Sequence, residues 1–326
     1  MIFSLAITGP TASGKTALSL SLAERLSCEI ISCDSMQVYL GMDIGTAKAT
    51  PEERARVPHH LIDFLPPSES YSVESYRESA IKCASEITER GKTPLFVGGT
   101  GLYIDSLMRA GASDVPGSDT EYREAMLASV KSDEDVQALW DRLRSVDPES
   151  AEKIHKNNVK RVIRALEIYD KTGRTKSDFD KQSLLFNPEI YVGMITLDFH
   201  DRENLYSRVD ARVDVIMKEG LLSEVESLYN EGALGDTASQ AIGYKELIEH
   251  LDGKITLAEA VENLKLASRR YAKRQLTWFR HERDARVIYA DTDDGRMKTH
   301  EEILTEAISH AEQLLCDYQE KKGISQ

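Results

Sequence analysis

Through its first third the chain alternates short, continuous apolar runs with stretches whose apolar residues recur at helical spacing. Phe3 to Thr8 is one such run, of a length and composition suited to a strand buried on both faces. Thr16 to Leu26 follows with Leu18, Leu22 and Leu26 on one side of a helix. Glu29 to Cys33 (EIISC) and Thr93 to Val97 repeat the apolar pattern, and the second of these enters GGTGLY, Gly98 to Tyr103, before another helical stretch. The alternation predicts an α/β fold with a parallel sheet flanked by helices. In such a sheet ligands bind beyond the carboxyl ends of the strands, so the turns after these runs should converge on one crevice.

The alternation stops near Gly111, where GASDVPGS has the turn-rich character of a linker. From Asp119 to Gly173 the pattern is helical, with Leu127, Val136, Leu139, Trp140 and Leu143 in register and Asn157 or Asn158 as a cap before VKRVIRALEIY. Ile190 to Leu197 then restores a strand ending in Asp198. LYSRVDARVDVIMKEG predicts a helix closed by Gly220, Val287 to Ala290 a last strand, and KKGISQ a frayed tail. The predicted organisation is a core of residues 1–112 and 190–326 interrupted by an all-helical insertion, 113–189.

Composition narrows the class. With 326 residues and 41% hydrophobic content the chain can bury a sizeable core. No apolar stretch has the length of a membrane span and no signal segment precedes the first strand, so a cytoplasmic protein is expected. Cys28, Cys33, Cys83 and Cys316 lack metal or disulfide spacing and are expected to be buried thiols. The net charge of −14 opposes a polyanionic partner on average, but two segments reverse the sign. Arg269 to Arg286 holds seven Arg or Lys against two acids, interleaved with Tyr271, Trp278 and Phe279, and Lys153 to Lys176 holds eight against two. Localised nucleic-acid contact and plain solvated helix faces fit these stretches equally well.

The chemistry is carried by Gly9 to Thr16, GPTASGKT, which fits G-x-x-x-x-G-K-[ST] at every fixed position and joins a strand to a helix. Backbone amides of Gly9, Pro10, Thr11, Ala12, Ser13 and Gly14, proline excepted, would wrap linked phosphates. Lys15 would reach their oxygens and the Thr16 hydroxyl would take a Mg²⁺ position. This is a P-loop NTPase-like arrangement. Asp34, Asp63 and Asp198 each end an apolar run, where a Mg²⁺-binding carboxylate commonly sits. Asp34 is the candidate for chemistry because Ser35 and Gln37 beside it could orient a polar substrate; its alternative role is a cap. Thr100 is flanked by glycines that permit close ligand approach, though it too could cap a helix. Arg208 and Arg212 fall four apart on one helix and can bracket a phosphate, with Asp210 and Asp214 spaced to pair with them. His59 and His60 receive no role.

Together with DSMQVYLGMDIGTAK, RVPHHLID, FVGGTGLY, KRVIRALEIY, ARVD, QAIGYKE and RRYAKRQLTWFR, this loop resembles the tRNA dimethylallyltransferases, or isopentenylpyrophosphate transferases, nearly end to end. The resemblance implies transfer of a dimethylallyl group from dimethylallyl diphosphate to the exocyclic N6 of the adenosine 3′ of the anticodon, in tRNAs reading codons that begin with U. The loop would then hold a diphosphate, with Mg²⁺ as cofactor and without consumption of ATP. It further implies Asp34, Ser35, Met36, Gln37 and Thr100 at the adenine, with Lys15, Asp34 and Thr100 catalytic. For tRNA it implies Lys160, Arg161, Val162, Ile163 and Arg164, the run Gln240, Ala241, Ile242, Gly243, Tyr244 and Lys245, and Arg123. The anticodon stem-loop and the diphosphate are the expected partners, and a monomer the expected state. The rival readings are an adenylate isopentenyltransferase, against which the basic helical insertion argues, and a P-loop nucleotide kinase, which would turn over ATP.

Overall fold

Among the described residues six strands form one all-parallel sheet in the order β3-β2-β4-β1-β5-β6, with β1 (Ile2–Thr8) inside it. The computed structural model describes residues 1–109, 117, 119–182, 187–282 and 284–324. Its chain divides into two units, Met1–Asp105 with Glu189–Gln326, and Ser106–Pro188. The expected boundary at 112/113 and the linker GASDVPGS, Gly117 apart, lie outside the described residues.

In the first unit β1 is buried from Ser4 to Thr8, as a strand covered on both faces must be. The polar residues on these inner strands are paired rather than stranded: Ser4 Oγ donates to the Tyr191 carbonyl, and the Thr8 and Thr196 hydroxyls meet at 2.7 Å. Helix α1 (Lys15–Leu26) leaves the sheet from Gly14, whose left-handed backbone (φ 96) turns strand into helix. It runs to β2 (Cys28–Ser32). A short α2 (Pro51–Arg56), opened by a Thr50–Glu53 capping box, precedes the two-residue edge strand β3 (His59–His60). Helix α3 (Val73–Glu89) then returns to β4 (Thr93–Val97), and α4 (Gly101–Met108) follows. The β1-α1-β2 and β3-α3-β4 connections cross the sheet in opposite directions, so right-handed crossovers put α1 and α3 on opposite faces.

The chain resumes with β5 (Ile190–Asp198), which pairs with β1 along its length, and β6 (Arg286–Tyr289) closes that edge. Leu18 and Leu22 of α1 pack with Leu5, Ile7, Ile30 and Leu95 of the sheet and with Leu304 and Leu314 of the terminal helix, which spans His300–Ile324. Each such fully buried aliphatic side chain contributes about 1.5 to 3 kcal/mol. That helix takes in Lys321 to Ile324, so the expected frayed tail is helical up to the last described residue. Cys28, Cys33 and Cys83 are buried, but Cys316 on the same helix is exposed, contrary to expectation.

Between β5 and β6 lies a helical array: Arg202–Glu219, Leu221–Asn230, Tyr244–Leu251 and the long Leu257–Phe279. The first of these shares two cores. Leu205 and Val209 pack with Ala272 and Leu276, whereas Val213 and Ile216 pack with Tyr39, Tyr244 and Leu264.

The second unit includes α5 (Thr120–Ser129), α6 (Asp133–Val146), α7 (Pro148–Lys153), α8 (Val159–Thr172) and α9 (Lys176–Gln182). The array of the first unit consists of α10 (Arg202–Glu219), α11 (Leu221–Asn230), α12 (Tyr244–Leu251) and α13 (Leu257–Phe279), and the terminal helix after β6 is α14 (His300–Ile324). The core of the second unit is Leu139, Leu143, Ile154, Val162, Ile163 and Leu166. Asn158 occupies the cap position of α8, but its side chain makes no capping bond.

Candidate active site

The turns after β1, β2 and β4 meet at the carboxyl end of the sheet. The Thr100 amide donates to the Cys33 carbonyl, the Gly98 amide to the Ile7 carbonyl, and the Ser35 amide to Thr100 Oγ1 at 3.1 Å. Thr100 starts α4 with its carbonyl, which accepts from Tyr103 and Ile104, while its hydroxyl turns to Ser35. Its hydroxyl therefore serves the crevice. Asp34 does cap a turn, accepting the Met36 amide on Oδ1 at 2.9 Å, yet it also lies within electrostatic reach of Lys15 and Arg212. Dense surrounding protein raises its pKa against the pull of those two cations.

Lys15 is held down in the other direction: loss of solvation, opposed by Asp34 and reinforced by Arg212, lowers its pKa to about 8. Its Nζ donates to the Gly9 and Pro10 carbonyls at 3.0 and 2.6 Å, so the ammonium rests on its own loop. Arg212 is itself partly desolvated, which lowers its pKa from the ordinary guanidinium value, with Asp34 and Glu219 acting against that. Arg208 donates through Nε to the Ala12 carbonyl at 2.9 Å. Among the described residues the buried Ser13 hydroxyl has no hydrogen-bond partner, and Thr16 is exposed at the first turn of α1. One carboxylate thus lies within electrostatic reach of Lys15 and Arg212, and Arg208 overhangs the Gly9–Thr16 loop, an arrangement suited to an anion next to a proton acceptor.

Several expected roles change once the contacts are known. Asp210 and Asp214 pair with Arg269 and Lys265 of α13, not with Arg208 and Arg212, because α13 packs against α10 on that side. That pairing frees both arginines for the crevice. The Gln37 amide is spent inside its own loop, donating to the Thr46 and Ala47 carbonyls and accepting from Ser32 Oγ, so it braces the loop rather than orienting a substrate. Met36 packs against the core that holds Tyr39. The Thr11 amide is taken by Gln275 at 2.8 Å. Asp63 is bound by Lys48 and Arg54, and Asp198 by Arg280. His59 and His60 are satisfied by the Val57 carbonyl and by Glu29.

QAIGYKE is tied to MDIGTAK by a contact that sequence patterns do not show. Glu224 accepts the amides of Asp43, Ile44 and Gly45 and also the Tyr244 hydroxyl. A Cβ at Gly45 would stand 2.6 Å from the Tyr244 ring, so only glycine fits. Ala241, Gly243 and Tyr244 are therefore buried framework, and Gln240 and Lys245 are the exposed members of that run.

In the second unit Val162 and Ile163 belong to the core, so their side chains cannot meet RNA. Arg164 and Arg123 both bind the fully buried Glu167, at 2.9 and 2.7 Å, which spends most of their charge on structure. Lys160 and Arg161 are exposed on the same helix. Of the Arg269 to Arg286 stretch, Arg269, Arg280 and Arg286 are paired with Asp210, Asp198 and Asp317. Arg270, Lys273 and Arg274 remain on the exposed side of α13 near Trp278, while Phe279 is core.

Among the described residues no helix is long and apolar enough to cross a membrane. The sequence model of the family described as IPP transferase matches residues 37–282, and that of isopentenyl transferase matches residues 3–62. A tRNA dimethylallyltransferase of Bacillus cereus (strain AH187) is 51% identical over 291 residues, covering 89% of this chain and 90% of its own. A crystal structure of a full-length tRNA isopentenylpyrophosphate transferase from Bacillus halodurans superposes with a TM-score of 0.69 at 43% identity, over 98% of this chain and 100% of that one. A eukaryotic dimethylallyltransferase described as acting on tRNA gives 0.74 at 31% identity, over 89% and 74%. With a family match across most of its length and relatives this similar, the chain belongs to the IPP transferase family.

Proposed function

We propose that the crevice transfers the dimethylallyl group of dimethylallyl diphosphate to the exocyclic N6 of the adenosine 3′-adjacent to the anticodon of tRNA, releasing pyrophosphate. The chain is a tRNA-modifying prenyltransferase by family, and this reading assigns its residues. The observation that carries it is the meeting of the Asp34 turn and the Thr100 loop, joined by the Ser35–Thr100 and Thr100–Cys33 bonds, at the strand ends where Arg208 binds the Ala12 carbonyl of the glycine-rich loop.

An adenine amine is a weak nucleophile because its lone pair is delocalised into the ring, so both ends of the displacement need help. Asp34 accepts the proton from N6 as the C–N bond forms, and its desolvated carboxylate is a stronger base than one in water. At the other end the C–O bond breaks and negative charge gathers on the leaving pyrophosphate. Lys15 exchanges its loop carbonyls for the more strongly accepting diphosphate oxygens. Arg208, Arg212, the unpartnered Ser13 hydroxyl and the first amides of α1 complete the cradle. Thr16 would hold Mg²⁺ together with substrate oxygens and water, a donor set that fits this ion. When bound, Mg²⁺ neutralises diphosphate charge.

Reaching N6 requires drawing the adenosine out of the anticodon stack, at a cost of a few kcal/mol. Exposed Lys160 and Arg161, with Gln240 and Lys245 and the basic side of α13, supply backbone contacts that offset it. A soluble, monomeric cytoplasmic enzyme is the setting this reading calls for. The test is pyrophosphate release from dimethylallyl diphosphate: it should require added tRNA, and release at the same rate without tRNA would contradict the assignment.

A further inference from the structure

Helix α13 buries Ala272, Leu276 and Phe279 against the core, and in the midst of this apolar face stands Gln275, 5% exposed. A primary amide in such a place is unfavourable unless both of its ends are bonded. Both are. Oε1 accepts the Thr11 amide of the diphosphate loop at 2.8 Å, and Nε2 donates to the Gly99 carbonyl of the Thr100 loop at 2.9 Å. The fit is close: a Cβ at Gly99 would lie 2.0 Å from Gln275 Nε2. One turn earlier on the same helix stands Tyr271, within electrostatic reach of Asp34; burial, and then that negative charge, raise the phenol pKa. A single helix therefore ties together the loop after β1 and the loop after β4.

We propose that Gln275 is a positioning residue that locks the diphosphate loop to the Thr100 loop, holding the leaving group in register with the acceptor nitrogen. It touches neither substrate. The inference rests on the function proposed above, in which one loop carries the diphosphate and the other borders the adenine. An in-line displacement needs the attacking nitrogen, the allylic carbon and the leaving oxygen aligned, and slack between the two loops degrades that alignment without removing any group that binds a substrate.

Gln275→Met keeps the length and volume of the side chain and deletes both bonds. It should lower the single-turnover rate with saturating tRNA by roughly 10- to 100-fold, with affinities for dimethylallyl diphosphate and for tRNA changed less than about threefold. Gly99→Ala, which displaces the amide from the opposite side, should give a similar loss, and the double variant should be no worse than either single one. Hydrogen exchange on the ligand-free protein provides a readout independent of turnover: peptides covering 9–14 and 98–103 should both exchange faster in Gln275→Met, with global melting nearly unchanged. An unchanged rate, a rate loss matched by an equal loss of diphosphate affinity, additive effects, or faster exchange in only one loop would each overturn the proposal. Absence of transfer by the wild type would instead contradict the proposed function, and the exchange comparison would still decide on Gln275.

Discussion

Arg208 donates through Nε to the carbonyl of Ala12, the one non-glycine residue of the diphosphate loop whose backbone is left-handed (φ 62). That conformation costs an alanine about 1 to 2 kcal/mol, and the arginine from α10 helps to hold it. The same guanidinium overhangs Gly14, where a Cβ would come within 3.8 Å of it. One side chain thus shapes the loop and adds charge to it.

Arg208→Lys separates these two contributions, since lysine keeps the charge but not the planar fork. The Michaelis constant for dimethylallyl diphosphate is expected to rise roughly 10-fold in Arg208→Lys and further in Arg208→Ala, because one to two charge-assisted bonds are removed. Steady-state kinetics at saturating tRNA measures it. A lysine variant equal to wild type would reduce Arg208 to a charge.

The pH dependence follows from Asp34 and Lys15. Asp34 must be ionised to take the proton, so activity falls on the acid side below its raised pKa. Lys15 must be charged to hold the diphosphate, so kcat/KM falls on the alkaline side as pH rises through about 8. Bound diphosphate favours the ammonium, so the alkaline limb of kcat should lie at higher pH than that of kcat/KM. Profiles of the two parameters check this, and a flat kcat/KM between pH 7 and about 10 would remove Lys15 from the assignment.

Asp34→Asn retains the acceptor for the Met36 amide and so keeps the turn, while removing the base. The transfer rate should drop by roughly 10²-fold or more with diphosphate affinity preserved. Rapid-quench single turnovers distinguish this from a purely structural cap, for which the rate would not change.

The strands and the turns that meet at the candidate site were legible in the sequence. GPTASGKT lies between β1 and α1 as its two flanks required, and the apolar runs matched β1, β2, β4 and β5 to within a residue or so. What stayed hidden were partners supplied by distant segments. Spacing alone offered Asp210 to Arg208, but tertiary packing gave it to Arg269. Periodicity could not say which members of KRVIR face inward, although Val162 and Ile163 are apolar and fill the core as such residues do. Glu224 and Gln275 had no local signal: one is an acid on an amphipathic helix, the other a polar residue in a basic stretch. Their roles exist only because a helix end meets a loop far away in the chain.

Because Arg164 is committed to Glu167, the cationic edge of α8 reduces to Lys160 and Arg161. Lys160→Ala with Arg161→Ala should weaken tRNA binding and flatten the slope of log affinity against log salt by up to about 0.7 to 0.9 for each RNA phosphate that is no longer neutralised. Dimethylallyl diphosphate affinity should stay the same. Salt titrations of both proteins check it, and coincident lines would mean that this edge is only solvated.

Asp34 and the diphosphate loop are proposed to join a dimethylallyl group to a tRNA adenine, and nucleoside analysis after incubation with labelled dimethylallyl diphosphate, Mg²⁺ and total tRNA tests this most directly. The expected result is label in N6-dimethylallyl-adenosine at the position 3′ of the anticodon, one pyrophosphate per label, no requirement for ATP, and disappearance of label with Asp34→Asn. Label in free adenine nucleotide but not in tRNA, or turnover of ATP with unlabelled tRNA, would contradict it.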